Sequence, residues 1–223
     1  MSQFFFDPND WAVGDSLSTP GFPFFVLRGA AVVQILNDGD GSGNYLKLDA
    51  QQSGRNILAF SPAGQTTDTE IYLQIDDTPG TIDRIGVRSR EDGAGGDFYQ
   101  FRDGSIDTVI NGSLSPIASG PAFLKNVRFR ANGTSPTTLQ VVSWGDVDEP
   151  VSWDATVTNS ASDLQVAGYA ALTPFREYVH IRAFGVGTNG DAAPTAPVAT
   201  APVTPINLTT TNILPTSARL GWE

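Results

Sequence analysis

Apolar and polar residues alternate along this chain with a period of two, in one short run after another. The clearest case is Asn126-Val-Arg-Phe-Arg-Ala-Asn-Gly133, where Val127 and Phe129 alternate with Arg128 and Arg130. That is the period of a half-buried strand. Asn132-Gly133 supplies residues that accept positive φ in a turn. The return run, Thr138 to Trp144, sets Leu139, Val141 and Ser143 against Gln140, Val142 and Trp144. A long antiparallel hairpin with one face turned inward is predicted. Glu70 to Ile75 shows the same alternation, with Ile71, Leu73 and Ile75 on one face.

Further strands are predicted at Phe4–Phe6, Phe24–Leu27, Ala30–Leu36, Tyr45–Leu48 and Asn56–Phe60. Others follow at Asp83–Arg88, Asp97–Phe101, Asp107–Ile110, Ser152–Val157, Gln165–Leu172 and Tyr178–Val186. Residues 12–23 and the Gly/Asp segment Asn37–Asn44 punctuate them. The only helical signal is a turn near Ser160–Leu164. More than ten short strands at regular spacing predict an all-β antiparallel sandwich, with Phe60, Phe98, Phe101, Phe129 and Phe184 in its core.

Composition narrows the function classes. A formal charge of −11 leaves no basic stripe for a phosphate backbone, so nucleic acid is not an expected partner. The absence of cysteine removes disulfides, thiolate metal sites and a cysteine nucleophile. No apolar run approaches the ~20 residues of a membrane-spanning helix. Met1 to Asp10 has no basic region and only three consecutive apolar residues before the acids begin, so no secretory leader is expected there.

From Thr188 the chain changes character. Ala192-Ala-Pro-Thr-Ala-Pro-Val-Ala-Thr-Ala-Pro-Val-Thr-Pro205 reads as an extended linker. The expected organisation is a sandwich domain over 1–190, a linker over 191–205 and a further β segment over 206–223.

Two resemblances follow from particular phrases. Asn126-Val-Arg-Phe-Arg, Gly133-Thr134, Ser143-Trp-Gly145, Glu149-Pro150 with Trp153, and Phe184-Gly-Val-Gly-Thr-Asn-Gly190 resemble concanavalin A-like (laminin G-like) jelly rolls of bacteriophage tail and fibre proteins. Pro205-Ile-Asn-Leu-Thr and Thr216-Ser-Ala-Arg-Leu-Gly-Trp222 resemble the first two strands of a fibronectin type III domain, which implies continuation beyond Glu223 or, as the alternative, packing of these strands on a neighbour. The first resemblance implies a non-catalytic virion component, made in the bacterial cytoplasm and exposed on the particle. Its partners would be other virion proteins and copies of itself, with host-surface attachment as a further role. The alternative is a glycan-binding module, calcium-assisted or not, of a cell-surface or secreted protein. A third reading is an accessory domain of a polysaccharide-degrading enzyme.

Candidate chemistry is sparse. Asp38-Gly-Asp-Gly-Ser-Gly-Asn-Tyr-Leu-Lys-Leu-Asp49 spaces Asp38, Asp40, Ser42, Asn44 and Asp49 as a calcium loop would, with Gly43 at its sixth position. A Gly/Asp hairpin turn explains the same residues without a metal, and the flanks read as strands. His180 is the single histidine, and no Gly-x-Ser-x-Gly elbow accompanies it. Paired acids spaced for glycoside hydrolysis are absent, so no enzyme is expected. For a sugar, the candidate stacking faces are Trp144 and Trp153, which flank Gly145–Pro150, together with Tyr99 and Tyr169.

Overall fold

A computed structural model describes residues 2–50, 56–76, 84–90, 96–102, 104–174 and 178–195. In chain order the strands begin with β1 (Ser2–Phe6), β2 (Phe24–Arg28), β3 (Ala31–Asn37), β4 (Asn44–Ala50) and β5 (Ile57–Phe60). They continue with β6 (Thr69–Ile75), β7 (Arg84–Arg90), β8 (Asp97–Arg102), β9 (Ser105–Ile110) and β10 (Ser113–Ser119). The last are β11 (Asn126–Asn132), β12 (Thr137–Trp144), β13 (Ala155–Asn159), β14 (Tyr169–Leu172) and β15 (Tyr178–Thr188). Short 3-10 turns cover Pro8–Asp10 and Ser162–Leu164.

These strands form two antiparallel sheets packed as a sandwich, consistent with a jelly roll. The first runs β13-β12-β11-β6-β15-β4-β3, with β1 added on β15; the second runs β10-β9-β8-β7-β14-β5-β2. The β11–β12 hairpin has the predicted register, pairing Phe129 with Val141 and Ala131 with Leu139. Val127, Phe129, Ala131, Leu139 and Val141 face the sandwich interior with no exposure. Ile71, Leu73 and Ile75 of β6 join them, as do Phe60, Phe101 and Phe184. Each of the Val, Leu, Ile and Phe side chains among them contributes roughly 1.5–3 kcal/mol through burial.

Several elements differ from the sequence pattern. Strand β10, Ser-Leu-Ser-Pro-Ile-Ala-Ser, carries too much serine and proline to read as a strand, yet it pairs with β9. It lies at a sheet edge, where proline removes no needed donor, and the register shifts after Pro116. Strand β13 starts only at Ala155, so Ser152 and Trp153 belong to the preceding loop. Of Gln165–Leu172 only Tyr169–Leu172 is extended strand.

The outer face of β11 is covered as well as the inner one. After β15, Asn189 (φ 58°) and Gly190 (φ 89°) turn the chain back across the first sheet. It lies so close that a Cβ on Gly185 would sit 2.1 Å from the Pro194 carbonyl oxygen, and one on Gly187 would sit 2.3 Å from that of Asp191. The Ala193 N–H donates to Glu70 Oε1 at 3.0 Å, and Arg128 Nη1 donates to the Ala193 carbonyl at 2.7 Å. The start of the predicted linker is therefore a docked strap. Residues 196–205 and the fibronectin-like segment 206–223 lie outside the described residues.

Candidate functional site

The four aromatic residues proposed for sugar stacking do not share a surface. Tyr99 has no exposure; its hydroxyl donates to Asn159 Oδ1 at 3.1 Å and accepts from Gln165 Nε2 at 3.0 Å. Trp144 is 6% exposed and stacks on Tyr72 at 6.0 Å, in a cluster with Ala183, Ala193 and Phe5 on the outer face of the first sheet. Neither can present a ring to a ligand. Tyr169 is half-buried on the second sheet, edge-on to Phe25 at 5.2 Å. Trp153 is half-buried with the Arg130 guanidinium 5.2 Å from its ring centre. It lines a depression of about 200 Å³ with Glu149 and Pro150.

Beneath that depression lies an ion-pair network. Glu70, 2% exposed, pairs with both Arg128 and Arg130, and Arg128 also pairs with Glu149. Arg128 stays charged, since these acids outweigh its burial and hold its pKa above the ordinary value. With Ala193 as a further partner, the network clamps the strap and the 145–152 loop to the sheet.

The Gly/Asp segment weighed as a calcium loop or a hairpin turn forms the turn between β3 and β4. Asn37 and Asn44 pair across it, with Asn37 Nδ2 donating to Asn44 Oδ1 at 2.8 Å. Asp40 Oδ1 accepts from Ser42 N at 2.8 Å and Ser42 Oγ at 2.6 Å; the hydroxyl bond, then the amide bond, holds its pKa low. Asp49 is carried away on β4, where Lys47 Nζ lies 3.9 Å from it. Among the described residues, neither Asp40 nor Asp49 belongs to a group of three or more acidic or histidine side chains that could hold an ion. Gly43 answers to a neighbour instead: its φ is +88°, and a Cβ there would lie 2.7 Å from Asn9 Oδ1.

Of that set only Asp38 joins a group able to hold a cation. Among the described residues, Asp38, Asp76 and His180 bring ligand atoms within 4.8 Å of one another. Two carboxylates and an imidazole suit a divalent ion in kind. Arg182 already supplies positive charge there. Its Nε donates to Asp76 Oδ1 at 2.8 Å, Nη2 to Ser42 Oγ at 2.7 Å, and Nη1 to the Gly43 carbonyl at 2.9 Å. Asp38 Oδ2 lies 3.7 Å away. The Tyr45 ring stacks on His180 at 4.0 Å. Burial pushes the His180 pKa down, against the pull of Asp38 and Asp76, so the imidazole is neutral at pH 7.

A larger concavity was not among the predicted sites. A cleft of about 510 Å³ opens beside β1 at the mouth of the sandwich interior. Phe6 and Phe60, 2% and 1% exposed, form its apolar base. Half-buried Phe4, Trp11 and Pro23 line it with Pro62, and Gln3, Asp7 and Asp10 supply its polar groups. Local structure places Trp11 firmly. Asp7 caps the Pro8–Asp10 turn, and Trp11 N donates to the Pro8 carbonyl at 3.2 Å. Asn44 Nδ2 donates to the Trp11 carbonyl at 3.0 Å, while the Trp11 ring meets Phe22 edge-on at 4.9 Å. The signal that points here is Asp7-Pro-Asn-Asp-Trp11 directly after an aromatic strand, a pattern that reads as an ordinary turn until the fold sets it against Phe60.

No protein-family model matches the sequence, and no curated protein matches it either. Among solved structures, the chain is similar to carbohydrate binding module CBM66 from Bacillus subtilis, at 12% identity and a TM-score of 0.45, over 72% of this chain and 94% of that one. It is similar to protein SO2946 of unknown function from Shewanella oneidensis MR-1, at 11% identity and a TM-score of 0.41, over 82% and 85%. It is also similar to the VIP36 exoplasmic/lumenal domain in its Ca2+/Man3GlcNAc-bound form, at 12% identity and a TM-score of 0.39, over 74% and 83%.

Proposed function

We propose that this protein is a non-catalytic glycan-binding module and that the cleft beside β1 is its binding site. The observation that carries the reading is the composition of that 510 Å³ cleft: aromatic walls at Phe4 and Trp11, with carboxylates and an amide at Asp7, Asp10 and Gln3. Sugars present apolar C–H faces that stack on aromatic rings, and hydroxyls that hydrogen-bond to carboxylates and amides. Both acids come from one short turn, whereas glycoside hydrolysis needs two acids flanking the scissile bond. That favours binding over turnover.

The test is a glycan-array screen of the intact protein followed by titration calorimetry with the best ligand. Trp11→Ala and Phe4→Ala are each expected to weaken binding by about tenfold or more, in line with ~1.4 kcal/mol or more of lost stacking. Thermal melts establish that the variants are folded. Binding that survives both substitutions in folded protein rules out this cleft. Release of reducing sugar from the bound glycan would replace the binding role with an enzymatic one.

The virion setting, with sister chains and other virion proteins as partners, is a proposal carried by the sequence resemblance alone. Finding the chain at a fixed symmetric position on purified particles supports it; absence from particles removes it.

A further inference from the structure

Resting on the reading of the cleft as a glycan site, we infer that the saccharide it selects carries a free, protonated amino group. Among the described residues, every charged residue lining the cleft is an acid: Asp7 and Asp10 are there, and neither lysine nor arginine is. Asp7 is held in place, with Oδ1 accepting from the Asn9 amide at 2.8 Å and from Asn9 Nδ2 at 2.9 Å. Asp10 is exposed, and its carboxylate makes no hydrogen bond or ion pair among the described residues.

The two cations of the adjoining depression are committed elsewhere. Asp7 also borders a neighbouring depression lined by Lys125 and Arg182. Lys125 is paired with Asp146, and Arg182 with Asp76 and Asp38. The charge of Asp7 and Asp10 is therefore left for the ligand, inside a chain whose formal charge is −11.

The apolar part of the cleft points the same way. Aromatic faces carry negative potential and attract ammonium groups, most strongly where solvent is partly excluded. Trp11 and Phe4 are half-buried, so a cation between them and the two carboxylates meets both attractions at once. An acidic sugar would bring its carboxylate against Asp7 and Asp10, with no cation among the described residues that line the cleft to offset the repulsion. A neutral N-acetyl sugar would stack but leave both acids without a counter-charge.

Three probes of equal length separate these cases by calorimetry on the full chain: a glucosamine oligomer, its N-acetylated form and a uronic acid oligomer. The glucosamine oligomer is expected to bind at least about tenfold more tightly than the N-acetylated one. That advantage should shrink as salt is raised, and should be lost in Asp10→Asn, whose exposed position spares the fold. If the N-acetylated or acidic oligomer binds as well, and Trp11→Ala abolishes that binding, the amine preference is wrong while the glycan site stands. If the amine preference persists unchanged in both Asp10→Asn and Trp11→Ala, it comes from overall charge rather than from this cleft, and the inference falls. If none of the three probes binds, the inference falls with it.

Discussion

Replacing Arg182 tests whether a side chain does the work that a calcium ion would do at the 38–43 turn. Its guanidinium donates to Asp76 Oδ1, Ser42 Oγ and the Gly43 carbonyl at 2.7–2.9 Å, and it is only 13% exposed. Charge-assisted bonds contribute about 1.5–3 kcal/mol each when buried, but water reaches Asp76 (22% exposed) and Asp38 (41%) here. Arg182→Met keeps an apolar stem against the Tyr45 ring while removing the charge. It leaves two carboxylates facing each other beside His180, which no longer feels the charge of Arg182. The expected cost is about 3 kcal/mol, the low end of the range for breaking a buried pair and well above that of an exposed one. For a chain of this size that lowers Tm by about 6–12 °C, and it is read most directly as a shift in urea midpoint at constant slope. Calcium then distinguishes the roles. The variant, with Asp38 and Asp76 released, should regain about 2.7 kcal/mol at a calcium concentration near 100 times its Kd, whereas the unmodified protein should gain little. The reasoning is refuted if Arg182→Met lies within about 0.5 kcal/mol of the parent, or if calcium stabilises both proteins equally.

Three further outcomes follow from the packing of the first sheet. Glu70→Ala takes a carboxylate from Arg128, which keeps Glu149, from the part-exposed Arg130 and from the Ala193 N–H, and should cost about 3 kcal/mol in urea unfolding. Adding Arg128→Met should recover much of that loss, and simple additivity of the two costs would argue against a coupled network. Gly187→Ala places a Cβ against the Asp191 carbonyl, costing about 1–3 kcal/mol and lifting the strap. Hydrogen exchange at the Ala193 amide should accelerate, and unchanged protection there would show that the strap tolerates the methyl group. Burial pushes the Tyr72 phenol up to about 12, and its hydroxyl donates to Asn126 Oδ1 at 2.8 Å. Because this pKa is raised above the unfolded value near 10, the stability it contributes is complete below pH ~10 and is lost as pH rises towards 12. Ultraviolet titration should show a late tyrosinate phase that shrinks in Tyr72→Phe; a single phase near pH 10 would contradict the burial.

What the sequence determined by itself was the inward half of the molecule. The two-residue period separates Val127 and Phe129 from Arg128 and Arg130, and the inward set lies in the core as the pattern requires. The Gly/Asp run at 38–43 is the turn it reads as. Periodicity reports which residues share a face, but not what covers the face on the other side, and there the tertiary structure decided. Arg128 and Trp144 are outward by period yet buried, because the chain beyond β15 returns over them. Tyr99 lies between the sheets, with its hydroxyl satisfied by Asn159, 60 residues along the chain. Gly43 and Ser42 suggested a metal loop by local spacing, while the cation beside them is Arg182, 140 residues from Ser42 in sequence. The cleft is of the same kind: Phe4 and Trp11 sit near the start of the chain, and only sheet pairing and packing bring Phe60 beneath them. Short-range pattern encodes which way a side chain points, whereas a site is assembled from contacts between segments that local spacing cannot register.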